Sequence, residues 1–390
     1  MNPFDEELNQ RLEALRAQGL HRELRRVDSP QSPRIKIAGT TFLNFSSNDY
    51  LGLANHPALK EAAIKAVEKS GAGAGASRLI CGSLAPFHEL EETLAAFKKT
   101  GAALTFSTGY AAATGTICAL LGKDDIIILD KLVHACIVDG ARLSGAKLRV
   151  FAHNDLNDLE EKLMWAKKHI QHRKRVLIVT ESIFSMDGDT APLREIVMLK
   201  DKYGAWLMVD EAHATGLYGE KRRGLAEELG VGSRIEIQMG TLGKALGASG
   251  GYICGSRPLI DLLMHRARSF IFSTAPVPAA AAAATAGIQV VQSAAGKSLK
   301  EKLRSRVAEF QSAIRNLQSA IPSAIIPLMI GDETKAVDLA AKLREQNIFI
   351  PAIRYPTVAR GAARLRITLT AAHSAEDVAE LLAALNTLKP

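Results

Sequence analysis

Trp206-Leu-Met-Val-Asp-Glu-Ala-His213 and, further along, Ile235-Glu-Ile-Gln-Met-Gly-Thr-Leu-Gly-Lys244 decide how the chain folds. Each opens as a short, mostly apolar run and stops abruptly in small or ionisable residues. A brief run bounded by Gly, Asp or Ser reads as a strand buried on both faces of a mainly parallel sheet. Comparable runs stand at Ala102–Phe106, Ile126–Leu129, Val176–Thr180 and Gly251–Cys254, with helical spacing between them at Asp158–His169 and Leu193–Tyr203. This alternation predicts an α/β domain with a mainly parallel sheet of about seven strands.

Outward from that centre, Leu8, Leu12, Leu15 and Leu24 mark an amphipathic arm over residues 5–26, and Arg34–Ile37 with Thr41–Phe45 reads as a hairpin. The alanine-rich stretch 279–295 predicts a long helix running into another at Leu299–Leu317. Strands are expected at Ile325–Met329, Ile348–Ile350 and Ala363–Thr368, with helices at Thr334–Glu345 and Ala375–Leu385. The expected layout is an arm and hairpin over 1–50, a large α/β domain over 51–290 and a smaller α+β domain over 291–390.

Composition narrows the classes of function. Lys and Arg number 49 against 41 Asp and Glu, a formal charge of +8 that favours anionic ligands. The basic residues are scattered and not gathered into a stripe with aromatics, so no nucleic-acid partner is expected. The four cysteines form no Cys-x-x-Cys pair, so neither zinc nor a disulfide framework is expected, and buried free thiols are. Met1–Gln10 lacks the apolar core of a signal peptide, and Ala275–Val291 is too weakly hydrophobic for a bilayer, so a cytoplasmic protein is expected.

Two familiar loops fail on inspection. Gly71-Ala-Gly-Ala-Gly-Ala76 has dinucleotide-like glycines but follows a helical stretch where a strand is required. Gly243-Lys244 lacks the rest of a phosphate-binding loop, because Gln238 stands where glycine is needed and Ala245 where Ser or Thr is. Ser185 is not in a nucleophile elbow.

The two opening strand ends carry the chemistry together. Ligands of open α/β sheets bind at the carboxyl ends of the strands, where Asp210, His213 and Lys244 would enter one crevice. A lone loop lysine is ordinarily a solvated charge; beside an Asp-x-x-His strand end it is better read as reactive. A lysine amine forms an imine with an aldehyde cofactor. A carboxylate facing a pyridine nitrogen keeps it protonated, so that the ring accepts carbanion electrons. That assigns Lys244 to the aldehyde, Asp210 to the ring nitrogen and His213 to the phenolic oxygen of pyridoxal 5'-phosphate. Ser107-Thr-Gly-Tyr110, between a strand and a helix, offers N–H groups to the phosphate. His134 follows another buried strand; alone it would be structural, but here it can lie flat over the ring.

At these residues the chain resembles the α-oxoamine synthases, a branch of the aspartate-aminotransferase-like (fold type I) pyridoxal-phosphate enzymes. The resemblance spans nearly the whole length. It includes Asn44-Phe-Ser-Ser-Asn-Asp-Tyr-Leu-Gly-Leu53, Ser77-Arg78 with His88-Glu-Leu-Glu91, Val209–His213, Gly240–Lys244 and Ser273-Thr274. It implies Lys244, His134, Asp210 and His213 as catalytic residues, and Gly109, Tyr110, Ser185 and Thr241 as further cofactor contacts. It also implies a homodimer in which Thr274 reaches the neighbouring subunit's phosphate, with His134, Arg366, Thr357 and Arg22 on the substrate side; Arg25 is the alternative to Arg22. The reaction implied is condensation of a small amino acid with an acyl thioester, with loss of CO2.

Ala352-Ile-Arg-Tyr-Pro-Thr-Val358 and Ala363-Arg-Leu-Arg-Ile-Thr-Leu369 resemble the branch that uses L-alanine and a pimeloyl thioester, carried by CoA or an acyl carrier protein. Arg354 and Thr357 are candidates for the far carboxylate of that chain. The family pattern is departed from at Ala74, Ala76 and Tyr355. The rival readings are a glycine and acetyl-CoA ligase, and a silent partner subunit, against which Lys244 argues.

Overall fold

The computed structural model describes residues 2–170, 174–314 and 323–388. They fall into two compact units, one of Asp49–Ser185 with Asp189–Glu301, the other of Met1–Asn48, Met186–Gly188 and Lys302–Pro390.

The larger unit is built on a seven-stranded sheet. In chain order its strands are β1 (Ala102–Phe106), β2 (Ile126–Asp130), β3 (Lys147–Phe151), β4 (Val176–Glu181), β5 (Trp206–Asp210), β6 (Ile237–Thr241) and β7 (Gly251–Gly255). Their spatial order is β1-β7-β6-β5-β4-β2-β3. Only β7 runs antiparallel to its neighbours β1 and β6. Every residue of β1, β2 and β7 is buried, because helices cover both faces. Leu104, Ile117, Ile127, Leu129, Val179, Met208 and Ile253 form one core around it. Each such side chain contributes about 1.5–3 kcal/mol when removed from water.

Helix Pro278–Gln292 packs on helices Pro57–Ser70 and Ala85–Lys98. Gly287 also lets that helix approach the turn after Lys244, since a Cβ there would lie 2.3 Å from the Leu246 carbonyl oxygen. The alanine-rich helix breaks at Ser293 and a second begins at Ala294, ending at Ala313. The expected end of that helix, Leu317, lies outside the described residues.

In the other unit, Arg34–Ile37 and Thr40–Asn44 pair as a hairpin, with Ile35 opposite Phe42. The expected strand at 348–350 shortens to Ile348–Phe349 and pairs in parallel with Leu43 and Asn44. A second sheet sets Ala363–Thr368 between Ile325–Gly331 and Ala352–Ile353. Helix Ala375–Thr387 starts on a capping box of Ser374 and Asp377. The N-terminal arm is helical only over Pro3–Ala17, where Phe4, Leu8, Leu12 and Leu15 stay exposed. No described helix is long and apolar enough to cross a membrane.

Candidate active site

The carboxyl ends of β4, β5 and β6 bring the ionisable groups of the larger unit together. Register sets Glu181 directly beside Asp210. Asp210 is buried and accepts a 2.9 Å hydrogen bond from the Ala212 N–H. After β6 the chain turns tightly: Leu242 N–H donates to the Gly250 carbonyl and Gly247 N–H to the Lys244 carbonyl. Gly247 has φ +67°, and a Cβ there would lie 2.6 Å from the Leu53 backbone, so only glycine closes this turn without strain. The turn presents Lys244 with its Nζ 2.7 Å from His213 Nε2. His213 Nδ1 is in turn 2.5 Å from the hydroxyl of Tyr50, which is wholly buried. If the ammonium donates to Nε2, Nδ1 becomes the donor to Tyr50, so the proton on Lys244 fixes the imidazole tautomer.

Burial pushes the Asp210 carboxyl up, and the Lys244 charge and the Ala212 N–H oppose that rise. Burial and then the Asp210 charge hold Glu181 well above the usual carboxylate range, despite N–H groups donated by His134 and Ser185. Burial raises both carboxyls, and the Lys244 charge opposes the rise at each. His134 caps helix Ala135–Ser144 through Nδ1, which accepts from Cys136 N–H, and its own N–H lies 2.6 Å from Glu181 Oε1. Burial lowers the His134 pKa, with Asp210 pulling it up and Lys244 pushing it down, so a neutral imidazole faces this group. Beneath Asp210, Lys98 and Glu211 form an ion pair at 2.5 Å with each side chain 1% exposed. Removing one partner of such a pair costs about 3–5 kcal/mol.

The phosphate side is built where β1 meets helix Gly109–Leu120. Thr108 caps that helix, its hydroxyl accepting from Ala111 N–H at 3.0 Å. A Cβ on Gly109 would lie 2.6 Å from Thr241 Cγ2, so glycine keeps the helix N-terminus open beside Thr241. The buried Thr241 hydroxyl has no hydrogen-bond partner among the described residues. An orphaned hydroxyl beside unsatisfied helix N–H groups is what a bound phosphate would satisfy. With Asp210, Lys244 and His213 on the adjoining strand ends, the residues fit pyridoxal phosphate. Tyr110 is half-exposed and donates to Asp139 Oδ2 at 2.7 Å; Ser185 is buried after β4. Thr274 is exposed and bridges to Ser77, so the Gly71–Ala76 loop docks on the chain after Phe272.

Three expected substrate residues belong to the smaller unit. Arg366 is buried on strand Ala363–Thr368, where Nη1 donates to the Thr368 hydroxyl at 2.9 Å. Arg22 donates to the Tyr355 carbonyl at 3.2 Å, and Thr357 N–H donates to the Arg354 carbonyl. Arg22, Arg25, Arg354 and Thr357 line one cleft, so both candidate arginines face it. Sequence reasoning gave no role to Tyr50, although it lies within the quoted Asn44–Leu53 stretch. The expectation of four buried thiols holds at Cys136 and Cys254 and fails at Cys81, which is exposed, and at Cys118, which is only partly buried. No group of residues suited to a metal ion occurs among the described residues.

His153 braces the neighbouring loop by bonding Asp130 at 2.9 Å and Asp189 at 2.7 Å. Burial alone would lower its pKa, but the two carboxylates outweigh that and raise it to about 10. A raised pKa adds stability that is fully present below the ordinary histidine value and lost as pH rises through about 10. His153→Gln should therefore melt below the parent protein by the widest margin near about pH 6, and the gap should close above about pH 10. A pH-independent gap in thermal melts would contradict this clamp.

The family model for class I and II aminotransferases matches residues 40–385. An 8-amino-7-oxononanoate synthase of Geotalea daltonii is 47% identical over 388 residues, 99% of this chain and 97% of the relative. One from Thermoanaerobacter pseudethanolicus is 46% identical, over 95% of this chain and 93% of its own. Among solved structures, serine palmitoyltransferase from S. paucimobilis with a bound PLP–myriocin aldimine superposes with TM-score 0.91 at 28% identity, covering 99% of this chain and 98% of that one. An 8-amino-7-oxononanoate synthase from Francisella tularensis gives 0.73 at 27% identity, covering 89% of this chain and 97% of that one. With its mainly parallel seven-stranded sheet, the chain belongs to the class I and II aminotransferase family of fold type I pyridoxal-phosphate enzymes, in the α-oxoamine synthase branch that holds the 8-amino-7-oxononanoate synthases.

Proposed function

We propose that the protein condenses L-alanine with a pimeloyl thioester, releasing CO2 and the free thiol and giving 8-amino-7-oxononanoate, a step of biotin biosynthesis. The observation that carries this reading is the 47% identity to a synthase of that name along nearly the whole chain.

Pyridoxal phosphate, when bound, supplies an electron sink for the amino acid's Cα. The Lys244 amine anchors the cofactor and carries the alanine Cα proton. The buried Asp210 carboxylate holds the proton of the ring nitrogen. His213 and Tyr50 orient the Lys244 amine and offer a donor to the phenolic oxygen. Neutral His134 offers a flat face without added charge, and Ser185 completes that side. The Gly109 and Tyr110 N–H groups and the Thr241 hydroxyl hold the phosphate. Arg366 takes the alanine carboxylate, since a guanidinium pairs with it through two parallel bonds. Arg22 and Thr357 contact the acyl donor.

Alanine with pimeloyl-CoA should be used about 10⁴-fold better in kcat/KM than glycine with acetyl-CoA, because a site built for a polar end group rejects substrates lacking it. A preference for the glycine pair would move the protein to a sister activity. We also propose that it works in the cytoplasm as a homodimer in which Thr274 reaches the partner's phosphate. Exposed Leu79, Ile80, Phe272 and Val277 near the Ser77–Thr274 bridge give the larger unit an apolar surface for such a contact. Sedimentation at assay concentration should show a dimer; a fully active monomer would refute the shared site.

A further inference from the structure

One buried ion pair ties together two stretches of the larger unit that a bound phosphate would need. Arg78 and Glu91 meet as a fork of two hydrogen bonds at 2.9 and 3.0 Å, their side chains only 7% and 12% exposed. The first stretch is the phosphate cradle. β1 lies at one end of the sheet, and in place of a further strand its outer side meets Glu91. That carboxylate accepts the Thr105 N–H at 2.9 Å and the Thr105 hydroxyl at 2.8 Å, just upstream of Thr108 and the helix it caps.

The second stretch leads to Thr274. The Arg78 guanidinium lies 4.8 Å from the centre of the Phe87 ring and 5.7 Å from that of Phe270, in the short helix before Phe272. Its neighbour Ser77 pairs with Thr274, and Ala275 N–H donates to the Ala76 carbonyl at 3.0 Å. Arg78 Nε donates to the Ser83 hydroxyl at 3.0 Å. A Cβ at Gly82 would lie 2.1 Å from the Ala76 carbonyl oxygen, so glycine lets the turn after Ser77 close. A buried ion pair adds little net stability over apolar residues of the same volume. What it supplies is direction, because a planar fork fixes both partners in one orientation. We propose that Arg78 and Glu91 are positioning residues for the cofactor phosphate, one anchor holding both the Ser107–Tyr110 cradle and the Thr274 loop. Only the Thr274 half rests on the shared site proposed above.

Titrating the cofactor-free protein with pyridoxal 5'-phosphate and with pyridoxal, followed by absorbance, tests this without turnover. The two compounds differ only in the phosphate, so residues that place phosphate contacts move one affinity and not the other. Arg78→Met leaves no unpaired buried cation. It should weaken pyridoxal phosphate at least about 10-fold, the worth of about one hydrogen bond to a charged group, and pyridoxal by less than about twofold. Glu91→Gln should act alike, and the Arg78→Met/Glu91→Gln pair should lose no more than either change alone, because all three break one link. The double variant buries no charge and keeps the test open if a single one fails to fold. Arg78→Lys keeps the charge without the fork and should stay within about threefold of Arg78→Met. Full recovery in that lysine variant would assign the effect to charge alone and overturn the positioning role. Equal weakening of both compounds would mark a purely structural pair and overturn it too, as would unchanged affinity for both. Thr274→Ala should likewise weaken only the phosphorylated compound. If it changes neither affinity while Arg78→Met does, the Thr274 half falls together with the shared site and the cradle half stands.

Discussion

Lys244→Ala should lose more than about 10⁴-fold in turnover, the upper end of what one general base contributes, because the same amine also anchors the cofactor. In the parent protein, borohydride reduction followed by peptide mapping should leave the cofactor on the Lys244 peptide. The argument is geometric. The Gly240–Gly247 turn delivers one amine to His213 Nε2 at 2.7 Å, and Tyr50 holds the far side of that imidazole. Lys98, the buried lysine beneath the same strand ends, is already committed to Glu211. A label on any other lysine, or an alanine variant with near-normal turnover, would remove Lys244 from the chemistry.

Asp210→Asn should keep the fold and some cofactor but lose about 10²–10³-fold in alanine α-proton exchange, measured without thioester. An amide cannot hold a ring-nitrogen proton, and separating a buried charge from its partner costs about 3–5 kcal/mol. The fold should tolerate the change because a neutral amide in place of the Asp210 carboxylate relieves a crowded pair of carboxyls. Glu181 is held up partly by the Asp210 charge and would return toward its ordinary range. Phosphate contacts at Gly109 and Thr241 are untouched, so residual cofactor binding is expected. Exchange at the parental rate would contradict the role of Asp210.

The sheet was legible where burial is two-sided. Val176–Glu181 and Trp206–Asp210 have no solvent face and so read as unbroken apolar runs ending in the site. Lys147–Phe151 escaped because it is the outermost strand: Lys147 and Val150 face water, and Arg149 lies over the Trp165 ring at 3.8 Å. The pairing of Ile348–Phe349 with the N-terminal hairpin joins segments at opposite ends of the chain, which no local pattern announces.

In the site, Asp210, His213 and Lys244 could be found because each follows a strand end. Tyr50 could not, since its one telling contact is with a side chain far along the sequence. The raised Glu181 carboxyl is a property of register, which sets two carboxyls side by side only once β4 and β5 are paired. The cleft of the smaller unit was legible in part: Arg22, Arg25, Arg354 and Thr357 were expected on the substrate side, whereas Arg344 joins them only when the N-terminal arm lies against helix Glu333–Glu345.

The account turns on carbon–carbon bond formation coupled to loss of the amino acid's carboxyl group. Carboxyl-labelled L-alanine, incubated with the holoenzyme with and without pimeloyl-CoA, tests it most directly. Labelled CO2 should appear only when the thioester is present, in equal amount to the CoA released. Labelled pyruvate, CO2 without thioester, or CoA release with the label retained would contradict it.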